Sequence, residues 1–542
     1  MNKILYTIIF SSLLFFGCND DYMERYPLDA ISDVTYWKSP SEIKMYANQF
    51  YEDLYIPQDF RNNSSDLKTD DMAPTTRNSY VWGETTVPSS GGGWGKADWG
   101  KIRSCNFALR RIEEMAKSNE VLMYEGEIRL FKSFFYFNKV KLFGDVPWLD
   151  KDLQTNSEEL FEGRTPRGEV VQHILEDLDF AILHLPEQSS EDRLTKYAAY
   201  ALKAEICLYE GTFIKYHGLP GDYESLLRAS VAASEAVINS GLFDIYNTGN
   251  PNEDFFNLFI QRELKGNIEG IMIQRFLIDI RTHNMTRELS EAYNGYTKDF
   301  VESFLCTDGL PINLSPLYQG DNIIDDEFVN RDPRMQQSVY NSNRPFRIFY
   351  DGTIYYKPLP EFINTLSPTS YFILKGFSPY ERDIEKQRCE IDLFTYRYGK
   401  LLLDYAEAKA ELGECSQDVL DISINKLRDR VNMPHMNVNI NFIDPNWPNW
   451  EVPVTPLINE IRRERRIETC AEGRRWDDLV RWKAGKLLEN EKTLLGARNP
   501  DTGDLQVLYS GKKRTWSDKL YLQPIPLEDL ALNPQLTQNP GW

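Results

Sequence analysis

Charge is absent from the first stretch of the chain that shows a clear pattern, Ile4 to Phe16, which follows Lys3. At thirteen residues it falls short of the ~20 that a helix needs to cross a bilayer and has the layout of an export signal. Beyond it, apolar residues recur three and four positions apart, the spacing that gives a helix one greasy face. The pattern predicts helices over Ser41–Tyr55, Trp99–Met115 and Glu125–Leu142, the last stopped by Gly144 and Pro147. Thr165-Pro166 reads as a cap with proline at the first helical position, opening a helix that Pro186 ends. Leu194–Glu210 is predicted to stop at Gly211, and Leu226–Asn239 follows. A later pair spans Tyr396–Leu412 and Val419–Val431.

Two regions lack this period. Residues 56–98 are rich in Asn, Ser, Thr, Gly and Pro and hold Trp82, Gly91-Gly92-Gly93 and Trp94. A stretch this long without pattern inside a compact chain is usually functional. Residues 243–385 carry scattered Gly, Pro, Asn and Tyr with short mixed strands such as Gly270–Phe276, and read as loop-rich structure over a helical scaffold. The fold class is therefore mostly all-α: successive amphipathic helices stacked in tetratricopeptide-like pairs, without the clean repeat signature, plus a loop-rich part with a few short strands.

Composition narrows the function. The 42% hydrophobic and 26% charged content is that of a folded domain. A net charge of −21 argues against nucleic acid, whose binding is dominated by phosphate neutralisation. Of the seven cysteines, Cys18 directly follows the apolar run and Gly17; the rest are scattered, form no CxxC, and are expected as buried free thiols. The five histidines lie far apart, and no HExxH, GxSxG or phosphate loop is present. Carboxylates are too numerous for a glycosidase pair to be picked by spacing. No enzyme is expected, and no cofactor; a structural calcium site built from distant residues stays open, since Asp321–Glu327 lacks calcium-loop spacing.

The start of the chain resembles a bacterial lipoprotein signal, cut before Cys18 so that its thiol carries lipid, with residues 1–17 removed. Four further stretches agree on one family: Glu125 to Pro147, Arg331-Asp332-Pro333-Arg334, Glu460 to Leu479, and the C-terminus from Tyr521-Leu-Gln-Pro-Ile-Pro526 to Trp542. Together they resemble the SusD/RagB family of outer-membrane, surface-exposed lipoproteins. The resemblance divides the chain into 18–242, with helix pairs and the aromatic loop, and 243–542, packed with it as one globular unit. It implies a SusC-like TonB-dependent transporter as partner and an oligosaccharide or polysaccharide as cargo. Peptide capture, or a helix-repeat scaffold without small ligand, are the alternatives. Asp20 and Asp21 fit the acidic stretch that accompanies surface export in this family.

Aromatic rings with a polar edge suit the C–H faces of sugars. Trp82 and Trp94 lie in a polar, Gly-rich setting and read as poor core residues. The resemblance puts ligand contacts in this loop and in a second segment, giving Asn78, Trp82 and Trp94 on one wall and Tyr293 and Tyr296 on the other. Trp99, Trp476 and Trp482 read as structural; Trp447 and Trp450 could equally face the transporter. The arginines Arg462, Arg463, Arg465 and Arg466, interleaved with glutamates, read as a charge-paired helix rather than a phosphate patch.

Overall fold

The computed structural model describes residues 36–54, 65–153, 157–189, 192–291, 293–361 and 367–542. The predicted lipidation site Cys18 and the neighbouring Asp20 and Asp21 lie outside the described residues.

The scaffold is helical. Helix α1 spans Pro40–Ala47 and opens on Ser39, whose backbone N–H is met by Glu42 at 2.7 Å. Helix α2 is Lys96–Glu113, and α3 is Asn119–Phe143, capped by Ser118 and stopped at Gly144, φ 74°. Helices α4 (Arg167–His184), α5 (Lys196–His217) and α6 (Tyr223–Ile238) follow as packed neighbours, and α7 (Tyr398–Glu411) lies against α5 and α6. Helix α8 is Pro456–Glu468 and α9 is Arg475–Arg481. The family-like stacking is thus present, with α4 tied to α5 by a bidentate Arg167–Glu210 pair at 2.7 Å.

Several expected boundaries move: α1 ends at Ala47 and passes into a 3₁₀ turn before the predicted Tyr55, and α3 starts at Asn119, ahead of the predicted Glu125. Helix α4 starts one residue after Pro166, because the Thr165 hydroxyl is used by the Trp148 N–H at 3.1 Å. Gly211 does not end α5; it sits inside it, where the Leu227 side chain and the Tyr223 carbonyl of α6 press close, and the helix runs on to left-handed Gly218. A glycine that reads as a stop in isolation is here a contact point between helices. The Val419–Val431 segment forms two short helices, Gln417–Asp421 and Ile424–Arg430.

Strands form two-stranded antiparallel pairs among the described residues. β1 (Met72–Pro74) pairs with β3 (Asn294–Tyr296), and β2 (Gly270–Gln274) with β6 (Leu393–Arg397). β4 (Arg347–Ile348) pairs with β5 (Ile354–Tyr355), and β7 (Leu495–Arg498) with β8 (Leu505–Val507). One hydrophobic core joins the helices; a second fills the irregular part around Tyr296, Phe300, Met335 and Tyr371. Helix α8 belongs to both, with Ile458 and Ile461 in the first and Ile467 in the second.

The arginines of α8 are ion-paired, as expected, but chiefly with other elements. Arg465 meets Asp404 of α7 and Asp478 of α9, and Arg466 meets Asp71 and Asp299. The glutamates reach back: Glu464 and Glu468 both hold Arg334, and Glu468 also holds Arg397 and Arg430. Arg334 of the Asp-Pro-Arg triplet, held by Asp332, therefore docks into the same helix that carries the arginine run. All these groups except Asp299 are buried. Among the described residues the six cysteines are free thiols, and five of them are buried.

Candidate functional site

The β1–β3 pairing brings residues 72–74, just ahead of the Asn78–Trp82 stretch, beside the segment that follows Tyr293. Met72 lies opposite Tyr296 and Pro74 opposite Asn294, and the ladder extends through Thr75 N–H to the Tyr293 carbonyl at 2.7 Å. β1 is itself held by a buried anchor. Asp66 accepts from the backbone N–H groups of Gly473 and Arg475 at 2.7 and 3.2 Å, and Arg475 forms a bidentate pair with Asp70. Burial beside Asp71 raises the Asp66 carboxyl to about 7.

Downstream of β1 the chain turns through 78–83. Asn78 Oδ1 accepts from Tyr80 N–H at 3.1 Å and from Val81 N–H at 3.4 Å, so Asn78 builds the turn that presents Trp82. Trp82 is half-buried, with Tyr509 edge-on at 5.6 Å and the Arg77 guanidinium 5.2 Å from its ring. Tyr293 is exposed at 44%. Behind Trp82 a crevice of about 10 Å³ is lined by Pro74, Asn78, Tyr509 and Arg514. It has room for little more than one water, so a ligand would lie on this surface rather than enter it. Burial lowers the Arg514 guanidinium to about 10, and its Nη2 donates to Thr493.

Two predicted ligand residues are core residues instead. Trp94 is only 5% exposed, packed edge-on against Phe143 at 4.9 Å and Trp99 at 5.4 Å. The three preceding glycines, all at positive φ, fold the loop back, and Trp94 N–H bonds the Gly91 carbonyl at 3.0 Å. Tyr296 is fully buried, stacked on Phe300 at 4.4 Å. Tyr293 precedes β3 and stays exposed, whereas all three residues of β3 are buried and Tyr296 enters the second core. Neither Trp94 nor Tyr296 offers a free ring face. Of the predicted set, Tyr293 is exposed, Trp82 is half-buried, and Asn78 builds the turn before Trp82.

A larger cleft lies elsewhere, about 700 Å³ between the 444–451 loop, α8 and the short 3₁₀ turns at 485–492. Trp447 and Trp450 line it. Trp447 Nε1–H donates to Glu460 at 2.6 Å and Trp450 Nε1–H to Asn459 at 2.5 Å, which fixes both rings. The signal was present in the sequence as two tryptophans in a Pro- and Asn-rich stretch without helical period, Asp444 to Trp450.

A family model described as "SusD family" matches residues 280–542, and one described as "Starch-binding associating with outer membrane" matches 29–208. The chain belongs to the SusD family. It is similar to SusD-like protein P38 of Formosa agariphila, 23% identical over 88% of this chain and 91% of the relative. A SusD-like protein of Bacteroides ovatus is 22% identical over 89% of this chain and 83% of its own. Among solved structures, a SusD-like protein from Bacteroides fragilis superposes with a TM-score of 0.74 at 24% identity, covering 96% of this chain and 100% of that one. A chain solved with xylogluco-oligosaccharide superposes at 0.65 with 18% identity, covering 91% and 97%. The likeness to these solved structures is one of fold, which is mostly helical. The four stretches that carried the resemblance touch one another in the fold. Lys141 of the first meets Asp477 of the third at 2.8 Å, and Asn539 of the last donates to the Phe143 carbonyl of the first at 3.1 Å.

Proposed function

We propose that this SusD-family chain is a cell-surface glycan-capture lipoprotein. Lipid on Cys18 anchors it to the outer membrane, and it passes oligosaccharide to a SusC-like TonB-dependent transporter. Its work is binding without bond cleavage: rings stack on sugar faces and polar neighbours bond the hydroxyls. The observation that supports this reading is the β1–β3 pairing, which joins two segments over two hundred residues apart, with exposed Tyr293 just before β3 and half-buried Trp82 downstream of β1. The relative solved with a xylogluco-oligosaccharide supports a saccharide as the cargo class.

Calorimetry and a glycan array on residues 19–542 test it. The Trp82→Ala/Tyr293→Ala double variant is expected to bind its glycan about tenfold or more weakly. Full affinity in that variant would reject the platform. Binding of a peptide library with no response to any glycan would replace saccharide by peptide. Pull-down of the native protein from its own membranes should recover a TonB-dependent barrel.

A further inference from the structure

We infer that the 700 Å³ cleft is a second saccharide-binding site, separate from the Trp82–Tyr293 platform, and that it takes uncharged sugars. The inference rests on the glycan reading above for the ligand class. The volume lies within the ~300–1,000 Å³ of small-ligand sites. Two ring systems of fixed orientation line it, since Trp447 and Trp450 are both held through Nε1. Ordering cost is thereby reduced before any ligand arrives.

The independent pointer is Arg462. This residue is 2% exposed and lines the cleft, with its guanidinium 4.6 Å from the Trp450 ring and 4.3 Å from the Trp482 ring. Its Nη2 reaches Glu411 at 3.3 Å, but Nε and Nη1 have no hydrogen-bond partner among the described residues. Buried donors left unmatched are costly, and such groups in native proteins call for an explanation. An acceptor oxygen entering beside Trp450 would supply one.

The charge of the lining selects a neutral ligand. Six cationic and six carboxylate side chains line the cleft. The cations are committed: Arg463 to Asp444, Arg466 to Asp299, Arg475 to Asp70, Lys486 to Glu451 and Lys492 to Glu302. An anionic sugar would find no uncommitted cation apart from the half-satisfied Arg462, on a molecule already at −21. A polyol, which both donates and accepts, meets paired donors and acceptors without stranding a charge. Asn446 and Asn449, both exposed, also line it.

Hydrogen exchange on the full-length protein in detergent decides this. The probes are malto-, cello-, xylo-, manno- and xylogluco-oligosaccharides, with oligogalacturonides as the charged comparison. Neutral oligosaccharide is expected to protect 444–451 and 485–492 in addition to 75–84. Trp447→Ala is expected to abolish the protection at 444–451 and weaken that phase of binding about tenfold, leaving the 75–84 response intact. Protection confined to 75–84 would overturn the cleft while the proposed function stands. Stronger protection of the cleft by oligogalacturonide would overturn the neutral assignment. If no saccharide protects any segment, both readings fall. Should Trp447→Ala misfold, the exchange map of the unaltered protein still separates these outcomes.

Discussion

Gly295 shows how much one residue decides. A Cβ there would overlap Ser367 Oγ and Thr369 Oγ1 and lie 2.9 Å from the Tyr371 carbonyl oxygen. β3 is thus wedged between β1 and the 367–371 segment, with Tyr296 N–H bonded to the Tyr371 carbonyl at 2.9 Å. Gly295→Ala is expected to cost ~1–3 kcal/mol by overpacking and to loosen the Tyr293 wall. Chemical denaturation and hydrogen exchange at 72–75 would register both effects. Residue type alone misjudged Trp94 and Tyr296 for a related reason. A glycine-rich surrounding reads as solvent-exposed, yet positive-φ glycines are also what lets a loop fold its tryptophan inward.

At the scale of elements, the α5–α6 contact depends on Gly211. Alanine would improve intrinsic helix propensity by up to ~1 kcal/mol. Its Cβ would, however, meet Leu227 Cγ at 3.0 Å and the Tyr223 carbonyl at 3.2 Å in a buried seam. The clash should win, so Gly211→Ala is expected to lower stability by ~1–2 kcal/mol. Gly168, near the start of α4 with nothing within 4 Å, is the control, and Gly168→Ala should be neutral or stabilising. Urea midpoints of the two variants separate propensity from packing. Helix positions were legible from the three-and-four period because burying one face leaves a periodic imprint. Helix ends were less legible: the glycine stop was misread at Gly211, and Thr165 gave its hydroxyl to Trp148 instead of the cap.

Across the whole molecule, the buried ionic network joins regions that are remote in sequence. Glu472 holds Arg397 and Lys375, and Glu407 holds Arg481. Burial opposes their charge, but the neighbouring cations win and lower both carboxyls to about 2. Their folded values lie below the unfolded ones, so their contribution to stability is present above about pH 4.5 and is lost as pH falls toward 2. Thermal melts should therefore decline steadily across that window. Glu472→Gln is expected to cost ~3–5 kcal/mol at neutral pH, because it strands Arg397 and Lys375 in the interior. Its deficit against the unaltered protein should shrink as pH approaches 2. A deficit that stays constant with pH would show that Glu472 acts through packing alone.

The order of amino acids by itself determined the helical scaffold, the loop-rich middle, the acidic surface and the family, because each is written in local period, composition or contiguous motifs. Tertiary structure alone decided which aromatics are presented and which charges are spent. Trp82 and Trp94 occupy similar sequence settings, but only packing against Phe143 buries one of them. The α8 arginines were legible as paired, yet their partners lie chiefly on other elements, and only the fold leaves two nitrogens of Arg462 unmatched beside a cleft. Exposure and pairing depend on neighbours distant in the chain, and no local pattern encodes those distances.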